Sequence, residues 1–239
     1  MPLIELLGRP RHNGGNFDDL PKKARGLLAY LAIYRGRAIP REKLVDLLWT
    51  NSAAEQGRHS LRQSLAAIRR AFGPDAPDHI KTTGDDVLLA ASDVIEVDAR
   101  RFEVLAQSPG LADLIAANEL YRGEFLADLD VQSEAFMDWV ALERNRLELI
   151  ACGMLYRLAT KLSNAGDHDS AIIAAQRLVA IDVLREDGHR LLMQLYVHVG
   201  RRGEAVRQFA SCRDHLRREL GVAPDDRTVA LADAIRAGT

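Results

Sequence analysis

Gly166 and Gly200 stand 34 residues apart, and the pairs Ala171/Ala205 and Leu158/Leu192 keep the same offset. The segments "AGDHDSAIIAAQRLVAID" and "VGRRGEAVRQFASCRDHL" therefore read as two copies of one unit. A period of this length, with a turn glycine and a small alanine five residues later, is the mark of stacked helix pairs. The glycine supplies the backbone freedom of the turn, and the alanine lets two antiparallel helices approach closely. Such arrays need more than two copies to bury a continuous core. The upstream helices and a last helix near Thr228–Ala237 are therefore expected to act as caps. From Asp98 onward no strand is expected, and "DARRFEVLAQ", "LADLIAANELY" and Ser133–Asn164 carry helical patterns.

The repeat has the tetratricopeptide period, and the N-terminal part of the chain has a different organisation. "PLIELLGRPRHNGGNFDDLP" reads as short strands around a turn at Asn13-Gly14-Gly15-Asn16. Leu27, Leu28, Leu31 and Ala32 mark a first helix beginning at Lys22 and closed by Gly36. Pro40 opens a second, with Leu44, Leu47 and Leu48 inward and Trp49 closing it against the core. After the loop "TNSAAEQG", Thr50–Gly57, comes a third helix, "RHSLRQSLAAIRRAF", Arg58–Phe72. "GPDAPD" stops it, and "HIKTTGDDVLLAA" follows as strand, turn and strand. Strands, three helices and a hairpin are the order of a winged helix-turn-helix. The fold class expected is mainly α with a small β component: a winged helix-turn-helix domain over residues 1–95, then a TPR-like all-α domain over residues 96–239.

Charge follows the same division. Residues 1–95 hold 14 Lys and Arg against 11 Asp and Glu, whereas residues 96–239 hold 18 against 23. The asymmetry suggests two tasks, one of them with a polyanion. With no apolar run of about 18 residues and no leader-like N-terminus, the chain is expected to be cytoplasmic and to have no membrane partner. Cys152 and Cys212 are isolated within helical patterns and read as buried small residues rather than a disulfide or thiol metal site. None of the seven histidines has paired metal spacing with a nearby cysteine. The P-loop, GxGxxG, HExxH and GxSxG patterns are all missing, so neither catalysis nor a cofactor is expected.

At 100° per residue, Leu61, Leu65, Ile68 and Phe72 form one buried stripe of the third helix. His59, Gln63, Ala66 and Arg70 cluster opposite, with Arg62 and Arg69 on a flank. Such a face suits a DNA major groove. Arg62 can bridge guanine O6 and N7, Gln63 can pair with adenine, and Ala66 leaves room for close approach or touches a thymine methyl. Arg58, Arg69 and Arg70, near the helix ends, are placed to reach phosphates. On the hairpin, Lys81 and Thr83 are candidate contacts, but Asp85 and Asp86 at its tip repel phosphate, which moves the weight of recognition onto the third helix. In the helical part, Trp139 with Leu142 and Leu147 is expected to pack core. Arg144, Arg146, Arg185, Glu186 and Arg190 are expected at the surface or in ion pairs.

The motifs through "PKKARGLLAYLAIYRGRAIPREKLVDLLW", "RHSLRQSLAAIRRAFG" and "IKTTGDDVLL" resemble the winged-helix domain of bacterial response regulators. "LYRGEFLADL", "DWVALERNRL", "VLREDGHRLLMQLYVHVGRRGEAVRQF" and "LRRELGVAPD" resemble the bacterial transcriptional activator domain. That pairing is the layout of the Streptomyces antibiotic regulatory protein family of transcriptional activators. The resemblance implies a regulator that binds double-stranded promoter DNA and helps recruit RNA polymerase, the Thr50–Gly57 loop making that contact. It also implies a helical domain for activation or self-association, with a homodimer at least on DNA. Two other readings stay open from the residues: a TPR-type protein-interaction module whose winged helix docks protein, favoured by the acidic hairpin, and the regulatory fragment of a larger enzyme or sensor.

Overall fold

The computed structural model describes residues 3–12, 15–16, 19–73, 79–91 and 95–238. Two compact units result. One comprises Met1–Val104 with Glu119–Leu147, the other Leu105–Asn118 with Glu148–Thr239.

The first unit begins with β1 (Leu3–Glu5), β2 (Arg11–His12) and β3 (Gly15–Asn16). These join β7 (Glu96–Val97) in a sheet of order β3-β2-β1-β7, antiparallel except for the parallel pair β1/β7. The expected turn falls partly on residues 13–14, and the expected helix stop on residues 74–78; both lie outside the described residues. Next come α1 (Lys22–Ile33), β4 (Ile39–Pro40), α2 (Arg41–Leu48) and α3 (Ala54–Phe72). The hairpin β5 (Ile80–Thr83) and β6 (Asp86–Leu89) pairs with β4 in the order β4-β6-β5. α1 starts where the period predicts, and Gly36 takes the left-handed conformation, φ 83°, that ends it. Leu44 and Leu48 of α2 are buried as expected, joined by Val45, while Leu47 is half-buried.

α3 is the main departure in this region, for it begins at Ala54, four residues before the expected start. "AEQG" has no large apolar residue to set a helical period, and a glycine ordinarily ends or interrupts one. The glycine is there for packing. A Cβ on Gly57 would lie 2.5 Å from Val45 Cγ1, so its absence is what lets α3 cross closely over α2. Gly57→Val is expected to cost about 1–3 kcal/mol through this overpacking, read as a lowered denaturation midpoint at unchanged helix content.

The compact units are not the two consecutive segments 1–95 and 96–239. α4 (Asp98–Gln107) begins inside the first unit, held there by the β1/β7 pairing and by the buried carboxylate of Asp98. That carboxylate accepts hydrogen bonds from the N–H groups of Leu6 (2.7 Å), Leu7 (3.0 Å) and Ala99 (2.7 Å). After α5 (Leu111–Leu120), the chain packs on the first unit again up to Leu147. Leu7 bridges Phe125, Ser133 Oγ donates to the Leu47 carbonyl at 2.6 Å, and the ring of Phe136 meets α1 at Gly26. Trp139 packs edge-on to Tyr30 and Phe125, with ring centroids 4.9 and 5.7 Å away. This second covering layer is why α1 is apolar on nearly every side, with Gly26 through Ile33 all buried. Arg144 donates to the Phe125 and Leu126 carbonyls, and Arg146 pairs with Glu103 and Glu143. Leu142, expected in the core with Trp139 and Leu147, is instead 72% exposed. It lies on the outer side of the 31-residue helix α6 (Glu134–Asn164), where no neighbour covers it.

In the second unit, α6 from Glu148 onward and α7 (His168–Ile181) form the first repeat, α8 (Glu186–His198) and α9 (Arg202–Leu220) the second, and α10 (Asp226–Ala237) follows. Gly166 and Gly200 occupy the repeat turns with φ 85° and 75°, and Ala171 and Ala205 are fully buried at the helix contacts, as the period requires. Asp167 and Asp225 cap α7 and α10 by accepting from the N–H groups of Ser170 and Thr228. Arg190 pairs with Asp225 at 2.9 Å and Arg185 with Asp187 at 2.7 Å, in line with their expected structural role. Cys152 and Cys212 are buried, and burial pushes their thiols up to about 11 and about 12.

Candidate nucleic-acid interface

α3 is held by its buried stripe of Leu61, Leu65, Ile68 and Phe72, with Gly57 and Ser64 completing the packed side. Arg58, His59, Arg62, Gln63, Ala66 and Arg70 are exposed on the remainder, while Arg69 is half-buried. Three clefts take in seven of the nine expected contact residues, all but His59 and Arg62. Gln63, Ala66 and Arg70 line the first, ≈ 660 Å³, together with Pro21, Lys22, Lys23 and Trp49. Arg58 lies in a second of ≈ 520 Å³ with Arg41, Trp49 and Asp85, and Arg69, Lys81 and Thr83 in a third of ≈ 500 Å³. Arg69 Nη2 donates to the Ile80 carbonyl at 3.5 Å, so this guanidinium leans onto β5 rather than standing with the row above it.

Lys22 and Lys23 were not among the residues expected from sequence. They occupy the first turn of α1, where the positive end of the helix dipole favours acidic residues, yet that turn has none and no side chain caps it. Two ammonium groups on a positive helix end, facing Gln63 and Arg70 across a cleft, form a site electrostatically suited to an anion. Lys23 Nζ lies 5.5 Å from the Trp49 ring centroid, and burial draws its ammonium below the ordinary lysine value. The signal was present as "PKKAR", but only the folded chain brings it beside α3.

Among the described residues Arg58, Arg62 and Arg70 have no carboxylate partner; Arg202, Arg217 and Arg227 share that state, whereas Arg185, Arg190, Arg213, Arg218 and Arg236 are paired. Exposed guanidinium groups with no local counter-charge remain available to an external one.

The acidic hairpin tip also takes a definite form. Gly84, φ 58°, makes the tight turn, and Asp86 is half-buried in β6 opposite Thr83. The Asp85 carbonyl accepts from the N–H of Arg41, the first residue of α2, at 2.8 Å. Asp85 therefore lies at a helix N-terminus, in a cleft that holds both Arg41 and Arg58. The contact at the helix start is made by its backbone carbonyl, and its side chain stays exposed. Lys81 and Thr83 stay exposed.

Among the described residues no group of three or more His, Cys, Asp or Glu side chains is arranged to hold a metal ion, and no helix is long and apolar enough to cross a membrane.

Comparison with known proteins agrees with this architecture. Residues 97–236 match the family described as bacterial transcriptional activator domain, and residues 17–85 match transcriptional regulatory protein, C terminal. Regulatory protein DnrI of Streptomyces peucetius is 28% identical over 254 residues, covering 97% of this chain and 91% of DnrI. Transcriptional regulator RedD of Streptomyces coelicolor is 32% identical over 227 residues, covering 89% of this chain and 63% of RedD. A solved structure of Mycobacterium tuberculosis EmbR, in complex with a low-affinity phosphopeptide, matches 100% of this chain and 65% of that one, with TM-score 0.75 and 20% sequence identity. That likeness shows a shared fold of winged helix and TPR-like repeats.

Proposed function

Because the chain belongs to the bacterial transcriptional activator domain family, as a regulator of the Streptomyces antibiotic regulatory protein type, we propose that it reads duplex promoter DNA with α3 in the major groove. The observation that carries this reading is the exposed face of α3. Its arginines lack internal partners, a small Ala66 lies among them, and two lysines face them across the neighbouring cleft. Lys22, Lys23, Arg58 and Arg70 neutralise phosphates and set the register, while Arg62 and Gln63 contact base edges. Lys81 and Thr83 approach the backbone from the hairpin, and Arg69 fixes the hairpin against α3. His59 stands beside Gln63 on the same face.

In the fuller reading, the protein acts in the cytoplasm as a homodimer on repeated promoter sites. The segment Thr50–Gly57, which runs from the end of α2 into the first turn of α3, meets RNA polymerase, and the helical repeats carry self-association or activation. The exposed Asp85 at the hairpin tip favours the second reading, a winged helix that docks protein, and the same experiment tests it.

Selection of bound sites from random duplexes tests the reading, followed by anisotropy titrations of single variants. Arg62→Ala and Gln63→Ala are expected to reduce discrimination between sites by about tenfold or more, at roughly 1–3 kcal/mol per base contact. Arg58→Ala and Arg70→Ala are expected to weaken all duplexes alike. Unchanged affinity and specificity in all four would exclude the α3 interface.

A further inference from the structure

The outward row of α3 contains one internal hydrogen bond. Gln63 Nε2 lies 2.9 Å from His59 Nε2, between two exposed side chains one helical turn apart. An amide nitrogen donates and does not accept, so in this arrangement the imidazole Nε2 is the acceptor and its ring proton is on Nδ1. The bond occupies one of the two amide N–H groups. What remains outward is one N–H donor and the Oε1 acceptor. That pair matches the major-groove edge of adenine, whose N7 accepts and whose N6 amino group donates. The opposite amide orientation, Oε1 toward a donor at position 59, leaves two N–H groups outward. Two donors match guanine, whose N7 and O6 both accept.

We propose that His59 is a positioning residue: by accepting from Gln63 it fixes the amide orientation and makes this position of the interface a reader of adenine rather than guanine. The proposal rests on the placement of α3 in the major groove. In free solution water competes with an exposed side-chain bond. Once the groove excludes that water, a wrongly turned amide leaves buried donors and acceptors unpaired, and the internal bond then decides between the two orientations. Ala66, on the same face and next along it, adds no polar group to contest the choice, and Ser60 and Arg70 line the cleft on either side. Gln63 alone is a versatile donor and acceptor; the pair is a specified one.

The test uses the full chain and a set of duplexes differing only at the base pair whose selection Gln63→Ala alters. Wild type is expected to prefer adenine to guanine there by about tenfold or more. His59→Lys, which can only donate, is expected to capture Oε1 and turn the preference toward guanine. His59→Glu, which can only accept, keeps adenine preferred even though its charge lowers affinity for every duplex. His59→Ala frees the amide and narrows the preference to about threefold or less, against the roughly tenfold or greater discrimination of an oriented bidentate contact. If Gln63→Ala alters one position but the Lys, Glu and Ala variants all keep the wild-type preference, the inference is overturned while the groove placement stands. If neither Gln63→Ala nor Arg62→Ala alters any position, the groove placement itself fails.

Discussion

Replacing Asp98 with alanine is expected to destabilise the first compact unit by about 2–4 kcal/mol at pH 5, and by clearly less at pH 7.5. The loss comes from the buried N–H groups of Leu6 and Leu7, each left without an acceptor at roughly 1–3 kcal/mol. The pH dependence comes from burial, which raises the Asp98 carboxyl from 3.8 to about 6 against the pull of three backbone N–H groups and Arg122, 3.8 Å away. With its folded value above its unfolded one, the group contributes most below about pH 4. That contribution falls as pH rises through about 6, by roughly 3 kcal/mol in all. Chemical denaturation of wild type and Asp98→Ala at the two pH values reads this directly. A variant whose deficit is equal or larger at pH 7.5 contradicts the assignment.

A second large effect is expected in the salt dependence of DNA binding. The combined change of Lys22, Lys23, Arg58 and Arg70 to alanine removes four proposed phosphate contacts. At about 0.9 per contact, the slope of log affinity against log salt should become shallower by roughly 3 to 4, and affinity near 0.1 M salt should fall about a hundredfold or more, with little change in sequence preference. A slope change near 2 means that the two lysines make no phosphate contact and that only the α3 arginines do.

Features of the chain set by local pattern were legible in the sequence. The turn glycines and buried alanines of the repeat announced their 34-residue spacing, and the apolar stripe of α3 sorted its face correctly, because each is decided by helix period alone. What escaped depends on partners distant in the chain. Gly57 reads as a loop residue until Val45 is seen beneath it, and Lys22 and Lys23 read as a helix start until Gln63 and Arg70 appear across the cleft. Leu142 looks like core because composition does not say which side of a 31-residue helix is covered. That the compact units interleave across residue 95 was hidden for the same reason. A strand of two residues, Glu96–Val97, has no period, and the carboxylate that anchors it bonds to residues more than 90 positions earlier. Of the site, the residue types were readable but their grouping was not. Arg69 differs from Arg70 only in the direction it faces, and the His59–Gln63 bond depends on rotamers no sequence states.

The return of Glu119–Leu147 to the first unit bears on how such a regulator can be made and exchanged. During synthesis, the DNA-reading unit cannot acquire its covering layer when the hairpin emerges. Gly26, Leu47 and Leu7 wait for Phe136, Ser133 and Phe125, and the wait lasts until the ribosome has passed well beyond the first helices of the second half. A hybrid joined at residue 95 keeps every proposed DNA contact and leaves α1 with an uncovered apolar side, whereas a hybrid joined after Leu147 carries the cover with it. A hybrid that keeps α1 covered therefore has to carry the chain through Leu147, well past the hairpin.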